Sequence, residues 1–224
     1  MKKCLKNKLE MSLMDNKNKI ALLAFDDVYS ETALKEFIKK NHRKIKLVAV
    51  SQIKGGLMEN IVKTVKRFGL KYFMLRGFQI VVRGRRKGFF YNVCKENGIE
   101  CFYVDDENES LLWKKIQGWN GVVLSVGFNR VIPSAVVESF KGYNVHRSLL
   151  PAYKGSNPVL RALKNREKWV GVSLHRLSSK VDGGEVIAQK RIRVLEGESV
   201  FCLYERLAVE TSLLLEENER ACLL

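Results

Sequence analysis

Two short apolar runs that follow a polar N-terminal stretch most strongly constrain the fold of this chain. The runs "KIALLAF" (19–25) and "KIKLVAV" (44–50) are typical of strands buried on both faces of a sheet. Between them, apolar residues recur at helical spacing after Ser30, which we take as the N-cap: Ala33, Leu34, Phe37 and Ile38. A strand, a helix and a second strand in this order predict a parallel βαβ unit.

Later segments continue the alternation and then break it. We predict a helix over 58–68, strands over 99–104 and 121–128, a short helix over 131–140 and a strand ending in "YNVH" at 146. The apolar segments 170–177 and 184–194 flank the polar turn "SSKVDGG", which predicts an antiparallel hairpin, and an amphipathic helix follows over 200–215. The fold class is therefore α/β: a Rossmann-like, mostly parallel sheet flanked by helices, with an antiparallel hairpin in the C-terminal half.

Length and charge bound the domain organisation. The 224 residues are enough for one domain, and we predict a basic flexible tail over 1–18 followed by a single domain over 19–224. The net charge of +16 is concentrated in residues 1–100, which hold 23 Lys and Arg against 9 Asp and Glu. We find no signal-peptide or membrane-spanning pattern, and five cysteines without a zinc or disulfide spacing indicate reduced thiols. We therefore expect a cytoplasmic protein.

His146 is one of three histidines and ends an apolar run. In an open parallel sheet, ligands bind beyond the carboxyl ends of the strands. Asn144 and His146 are two residues apart in a strand and project to the same side, so an amide donor and a base would face one pocket. From spacing alone, two structural interpretations stay open: His146 caps the strand, and Asp182, before Gly-Gly, belongs to a turn.

The segments "GFNRVIP", "YNVHRSLLPAYKGSNPVLRAL" and "GVSLHRLSSKVDGGEVIAQ" within residues 127–189 resemble the signature region of the folate-dependent formyltransferase family. That family includes glycinamide ribonucleotide, methionyl-tRNA and nucleotide-sugar N-formyltransferases. Its pattern is Asn-x-His, Ser-Leu-Leu-Pro, Gly and Pro, and then an Asp in an Asp-x-Gly turn. The matching residues are Asn144, His146, Ser148, Leu149, Leu150, Pro151, Gly155, Pro158 and Asp182.

The resemblance implies a function and a set of site residues. The implied reaction is transfer of a formyl group from 10-formyltetrahydrofolate to the primary amine of a small or lipid-linked acceptor, such as an amino sugar. Asn144, His146 and Asp182 would be catalytic, with no metal required. The folate site would be lined by Arg130, Val131 and Ile132 and by the loop of Ser178, Ser179, Lys180 and Val181. His175 falls where several family members have a histidine, and we interpret it as more structural than catalytic.

Departures from the family pattern bear on the acceptor. Arg147 stands where the family has Pro or Gly, and it either binds an anionic acceptor or points to solvent; Ser148 and Lys154 are further candidate acceptor contacts. After the first strand, "AFDDVYSETA" replaces the glycine-rich loop with which glycinamide ribonucleotide enzymes grip a phosphate. The sequence also ends soon after its last predicted helix, where methionyl-tRNA enzymes have a tRNA-binding domain. Both acceptors stay as alternatives.

A basic stretch interleaved with aromatic and aliphatic residues covers residues 63–87, and no acidic residue occurs from Asn60 to Lys95. It predicts either a helix with a solvated basic rim or binding to an anionic membrane surface. Nucleic acid is a less favoured partner. A non-catalytic protein that keeps the fold and binds RNA or membrane through this stretch is the alternative from another functional class, although it would not need Asn144, His146 and Asp182.

Overall fold

The computed structural model describes residues 19–51 and 88–220. Its strands are β1 (Ile20–Phe25), β2 (Ile45–Ser51), β3 (Glu100–Val104), β4 (Val122–Val126), β5 (Lys141–His146), β6 (Trp169–Arg176) and β7 (Val186–Arg193). Its helices are α1 (Val28–Asn41), α2 (Phe89–Asn97), α3 (Glu109–Ile116), α4 (Ser134–Val137), α5 (Pro158–Lys164) and α6 (Val200–Glu217).

The seven strands form one sheet in the order β3-β2-β1-β4-β5-β6-β7. Neighbours from β3 to β5 are parallel, whereas β6 pairs antiparallel with β5, and β7 pairs antiparallel with β6. This arrangement confirms the predicted fold class, including the hairpin in the C-terminal half. The chain places β2 and β3 on one side of β1 and then places β4 on the other side. The carboxyl ends of β1 and β4 therefore border the crevice where ligands bind in folds of this type.

Alternate residues of the central strands enter two different apolar layers. Leu22 and Leu124 pack with α1, α2 and α6 on one face of the sheet. Leu23 and Val123 pack on the other face, with Leu112 of α3. Because both faces are covered, β1 is apolar at every position and β4 at every position except Ser125, which explains the continuous apolar runs in the sequence.

Two local predictions are wrong. The N-cap of α1 is Asp27, whose Oδ1 accepts the Ser30 backbone N–H at 2.7 Å, rather than Ser30. The predicted helix over 131–140 is reduced to Ser134–Val137, because Pro133 leaves the preceding residue extended and residues 141–146 already belong to β5. The predicted tail over 1–18 and the predicted helix over 58–68 lie outside the described residues.

We predict that Asp27→Ala lowers the free energy of unfolding by about 1 kcal/mol, because it removes the acceptor that satisfies the first turn of α1. Asp27→Asn should retain most of that stability, since asparagine caps helices about as well as aspartate. Urea denaturation of the three proteins provides the measurement. Equal losses in both variants would contradict a capping role.

Candidate active site

Four polar side chains converge on one face of the sheet near the carboxyl end of β5. Asn144 and His146 project to that face from β5, and antiparallel pairing with β6 places His175 directly opposite Asn144. The Asn144 amide nitrogen Nδ2 lies 3.1 Å from His175 Nε2 and 3.4 Å from Asp182 Oδ1. The alternation that places Asn144 and His146 together is therefore present, and the strand pairing adds His175 to the group.

Asp182 reaches this group from the loop between β6 and β7. That loop begins beside Tyr143, near the start of β5, so it must cross the face of β5 to bring the carboxylate to His146. Asp182 Oδ2 accepts the Gly155 backbone N–H at 2.8 Å and lies 3.4 Å from His146 Nδ1. Asp182 Oδ1 lies 3.5 Å from His175 Nε2. One carboxylate thus contacts two strands and the segment that follows β5.

The His146 ring is buried between two oxygen acceptors. Its Nε2 lies 3.0 Å from the Tyr153 carbonyl oxygen, so this nitrogen carries a proton and donates to it. The Nδ1 nitrogen faces Asp182. Burial lowers the pKa of His146, and this effect outweighs the Tyr153 carbonyl and the Asp182 carboxylate, which both favour the charged ring. His146 is therefore a neutral imidazole at neutral pH, with two acceptors already placed to stabilise an added proton.

The Asp182 carboxylate is kept ionised by its neighbours. Burial by itself would raise the pKa of Asp182, but hydrogen bonding to His175, the charge interaction with His146 and the Gly155 N–H together lower it. A negative charge is consequently present beside His146 throughout the neutral range. It orients the His146 ring and favours its protonation.

The "SLLP" segment after His146 is held by buried hydroxyls. Ser148 Oγ donates to the Ala152 carbonyl at 2.7 Å, and Ser173 Oγ donates to the Ser148 carbonyl. Ser173 Oγ also accepts the Leu150 N–H at 3.0 Å, and Gln189 Nε2 donates to the Leu150 carbonyl at 2.9 Å. The Ser148 hydroxyl, a predicted acceptor contact, is therefore buried and used to shape this segment.

The other two predicted acceptor contacts lie in different surroundings. Lys154 is exposed, and its carbonyl accepts from Arg161 Nη2. Arg147 is half-buried, and its guanidinium lies over the Tyr204 ring of α6, 5.6 Å from the ring centre. Of the three, Arg147 alone combines a partly covered position with a charged group adjacent in sequence to His146.

The predicted folate-site residues follow β4 and β6. The Arg130 guanidinium is buried and forms ion pairs with Asp106 and Glu109, so its charge ties two loops together. Val131 is 72% exposed, an unusual position for an apolar side chain, and Ile132 is half-buried. These two residues, and the backbone of their segment, are available to a ligand.

The loop over 178–181 supplies the second predicted part of the folate site. Ser178 Oγ donates to the Lys180 carbonyl at 2.9 Å, which tightens the turn. Ser179, Lys180 and Val181 are exposed. They precede Asp182, whose carboxylate lies 3.4 Å from His146 Nδ1, and their contact with folate stays a prediction.

Metal and membrane predictions have limited bearing on the described residues. Among residues 19–51 and 88–220, no group of His, Cys, Asp or Glu has the arrangement of a metal site. No helix in the same part of the chain is long and apolar enough to cross a membrane. Residues 63–87, to which the membrane-surface prediction refers, lie outside the described residues.

His175 is the site residue that sequence reasoning undervalued. It is 1% exposed, and its Nδ1 lies 2.8 Å from the Arg176 carbonyl, which fixes the ring with Nε2 toward Asn144 and Asp182. The available signal was its place in a strand predicted to follow "YNVH", but only the register shows that it pairs with Asn144. His175 therefore belongs to the site as a residue that positions Asn144 and Asp182.

A family model described as formyl transferase matches residues 78–217, which include all four converging residues. The chain belongs to the formyl transferase family. Its resemblance to formyltransferases in the signature region is thereby confirmed. The match covers more than half of the chain and spans β4 to β7, where the site lies.

Two relatives and one solved structure illustrate the range of the family. The chain is 29% identical over 61% of its length to a methionyl-tRNA formyltransferase of Agathobacter rectalis, covering 46% of that protein. It is 36% identical over 43% of its length to a GDP-perosamine N-formyltransferase of Brucella melitensis, covering 38% of that protein. The chain thus spans less than half the length of these curated relatives.

The structure of a sugar 3N-formyl transferase, determined in the presence of dTDP and 5-N-formyl-THF, has the same fold. Its TM-score is 0.63 at 20% identity, with 92% of this chain and 62% of that chain covered. Solved glycinamide ribonucleotide transformylases share the fold as well. At this level of identity the likeness shows the fold and leaves the acceptor to be argued from the site.

We predict that Asp182→Asn lowers the pKa of His146 further below its usual value. The wild-type carboxylate favours the charged imidazole and so raises the pKa of His146, against the lowering effect of burial. Removing its charge therefore lets burial lower the pKa further. NMR titration of the histidine ring signals provides the measurement, with His42 as the internal control because it ends α1 at the opposite edge of the sheet. An unchanged or raised pKa of His146 in the variant would contradict the electrostatic account.

Proposed function

We propose that this protein transfers a formyl group from 10-formyltetrahydrofolate to the primary amine of a small acceptor such as an amino sugar. The observation that carries the proposal is the position of the Asp182 carboxylate within hydrogen-bonding reach of both Asn144 and His146. Family membership supports formyl transfer, and the sequence of the site residues supports folate as the donor.

Formyl transfer creates a negative charge that the site must stabilise. The acceptor amine attacks the formyl carbon, and the formyl oxygen becomes an oxyanion in a tetrahedral intermediate. The Asn144 amide nitrogen Nδ2 carries two N–H groups. It lies 3.1 Å from His175 Nε2 and at a longer distance, 3.4 Å, from Asp182 Oδ1. We propose that the second N–H turns to the oxyanion, since a donor preorganised for developing charge contributes about 3 kcal/mol.

His146 would carry the proton. As a neutral imidazole it can take a proton that the attacking amine loses and return it to the folate nitrogen that leaves, so that protons balance over the cycle. The Tyr153 carbonyl and Asp182 carboxylate lie on its two nitrogens and stabilise the intermediate imidazolium. The lowered pKa of His146 keeps the proton-accepting form available at neutral pH.

The folate would lie against the segment after β4 and the loop before Asp182. Val131 and Val181 are both exposed apolar side chains, at 72% and 58%, and they belong to the two segments that the family resemblance assigns to the pterin site. Burying such side chains against an aromatic ring removes apolar surface from water. We propose Arg130 to Ile132 and Ser178 to Val181 as the walls of this site, with Arg130 acting through its backbone.

The start of α1 bears on the choice of acceptor. A glycine-rich loop would grip a ribose phosphate through free backbone N–H groups, but here Asp27 occupies the Ser30 N–H and adds a negative charge. This favours an amino sugar over glycinamide ribonucleotide. The relative named GDP-perosamine N-formyltransferase supports the same class, while methionyl-tRNA stays the alternative acceptor.

We predict that the full chain binds 5-formyltetrahydrofolate, a stable isomer of the donor, and transfers labelled formyl groups from 10-formyltetrahydrofolate to nucleotide-linked amino sugars. His146→Ala and Asp182→Ala should each lower turnover by about a hundredfold or more, since they remove the proton carrier or its charged partner. Calorimetric titration measures donor binding, and formyl incorporation into each amine measures turnover.

His42→Ala is the matched control, because His42 lies at the end of α1 and hydrogen-bonds to the Lys39 carbonyl. It should retain wild-type turnover. Failure of the folded protein to bind 5-formyltetrahydrofolate would contradict the proposed chemistry. Formylation of glycinamide ribonucleotide or methionyl-tRNA in place of the sugars would retain the chemistry and refute the proposed acceptor.

A further inference from the structure

Arg147 leaves the sheet on the side opposite to the catalytic group. Tyr143 and Val145 belong to the apolar layer shared with α1 and α6, so Asn144 and His146 face the other way. Arg147 reaches back to the α1 and α6 side, where its guanidinium lies over Tyr204. Tyr204 in turn packs against Tyr29 of α1, with ring centres 5.3 Å apart.

The charge of Arg147 has no counterpart in this part of the structure. Within residues 19–51 and 88–220, its guanidinium forms neither an ion pair nor a hydrogen bond, and the Tyr204 ring is its recorded contact. A cation over an aromatic ring at a partly exposed position is held only weakly. The guanidinium is therefore free to move toward an anion at little cost.

Ser30 provides a second, independent anomaly next to Arg147. Its side chain is fully buried, and its Oγ has no hydrogen-bond partner among the described residues. Because Asp27 caps α1, the Ser30 hydroxyl has no capping role. The large majority of buried side-chain polar atoms in folded proteins have a hydrogen-bond partner, and leaving one without a partner is destabilising.

The Ser30 hydroxyl and the Arg147 guanidinium both lie beside Gly127, at the crevice between β1 and β4. Gly127 follows β4 with φ of +71°, and a Cβ at this position would lie 2.9 Å from Ser30 Oγ and 3.1 Å from Arg147 Nη2. A larger residue is excluded both by the backbone conformation and by these two atoms. A hydroxyl and a guanidinium, both hydrogen-bond donors, therefore converge on a point where the chain has no side chain.

We propose that Arg147 and Ser30 bind an oxyanion carried by the amine acceptor, which makes Arg147 a specificity-determining residue. This inference rests on the proposed function and deepens it, because it assigns the acceptor an anionic group on the α1 and α6 side of the sheet. Both groups lie beside Gly127, so an oxyanion that enters there would draw Arg147 off Tyr204 and then accept from both donors. The nearby Asp27 carboxylate favours a singly charged group, such as a phosphodiester or a carboxylate.

The test uses small anions as probes of the full chain. Thermal unfolding is measured with sodium acetate, dimethyl phosphate, inorganic phosphate or, at the same ionic strength, sodium chloride. A ligand that binds only the folded state raises the unfolding temperature. We expect an increase with acetate or dimethyl phosphate that exceeds the increase with chloride, and the stronger of the two probes identifies the chemical source of the oxyanion.

Arg147→Gln should weaken binding of the effective probe on the order of tenfold, as expected for loss of a charge-assisted hydrogen bond. Arg191→Gln is the matched control, because Arg191 also lies over an aromatic ring, that of Trp169, at 4.2 Å. It should leave probe binding unchanged. Equal losses in the two variants would show a general effect of the basic surface and would overturn the proposal.

Ser30→Ala separates the hydroxyl from the guanidinium. We expect it to raise the unfolding temperature without ligand, because it removes a buried hydroxyl that lacks a partner, and to weaken binding of the effective probe several-fold. A higher unfolding temperature with unchanged probe binding would overturn the role of Ser30. A lower unfolding temperature would show that the hydroxyl has a structural role instead.

Binding of 5-formyltetrahydrofolate to the same samples distinguishes this inference from the proposed function. Folate binding without any anion effect would overturn the oxyanion site and leave formyl transfer standing. An anion effect that depends on Arg147, without folate binding, would support the oxyanion site as a binding feature and refute the proposed donor. Arg147→Gln should bind 5-formyltetrahydrofolate as wild type does, since the two sites lie on opposite sides of the sheet.

Discussion

The arrangement of the site depends on the contacts that the Asp182 carboxylate makes. This carboxylate contacts Gly155 after β5, His146 and Asn144 on β5, and His175 on β6. Asp182 has a left-handed backbone, with φ of +47°, a conformation that aspartate tolerates better than most residues. The hairpin loop therefore accepts local strain so that its carboxylate can reach the face of the sheet.

The rest of the hairpin is shaped around the same requirement. Glycine at 184 is needed because a Cβ there would lie 1.9 Å from the Arg176 carbonyl oxygen, and glycine at 171 because a Cβ would lie 2.1 Å from the Lys190 carbonyl. The second close approach holds β7 against β6, where Gln189 and Ser173 support the "SLLP" segment. The segment after His146 and the loop that carries Asp182 thus depend on the same antiparallel pair, and the site is a property of the whole hairpin.

The end of β5 gives access to both faces of the sheet. His146 points to one face, and Arg147, the next residue, reaches the other. A reaction between two substrates suits such an edge, since a donor and an acceptor can approach from different sides and meet at one side chain. The proposed folate walls lie with His146, and the proposed oxyanion site lies with α1 and α6. Residues 63–87 do not enter this scheme, because the functional assignment depends on groups in β4 to β7 and α1.

The sequence by itself determined the parallel core and the two residues of the proposed site that share one side of β5. Strands buried on both faces are mostly apolar, and residues two apart in a strand share a side, so β1, β2 and the common side of Asn144 and His146 could be predicted locally. Other features depend on contacts between distant segments. The partnership of His175 with Asn144 follows from strand register, and the meeting of Ser30 with Arg147 beside Gly127 joins three segments. Only the tertiary structure decided these contacts, because no local spacing relates residues that are far apart in the sequence and meet on neighbouring strands.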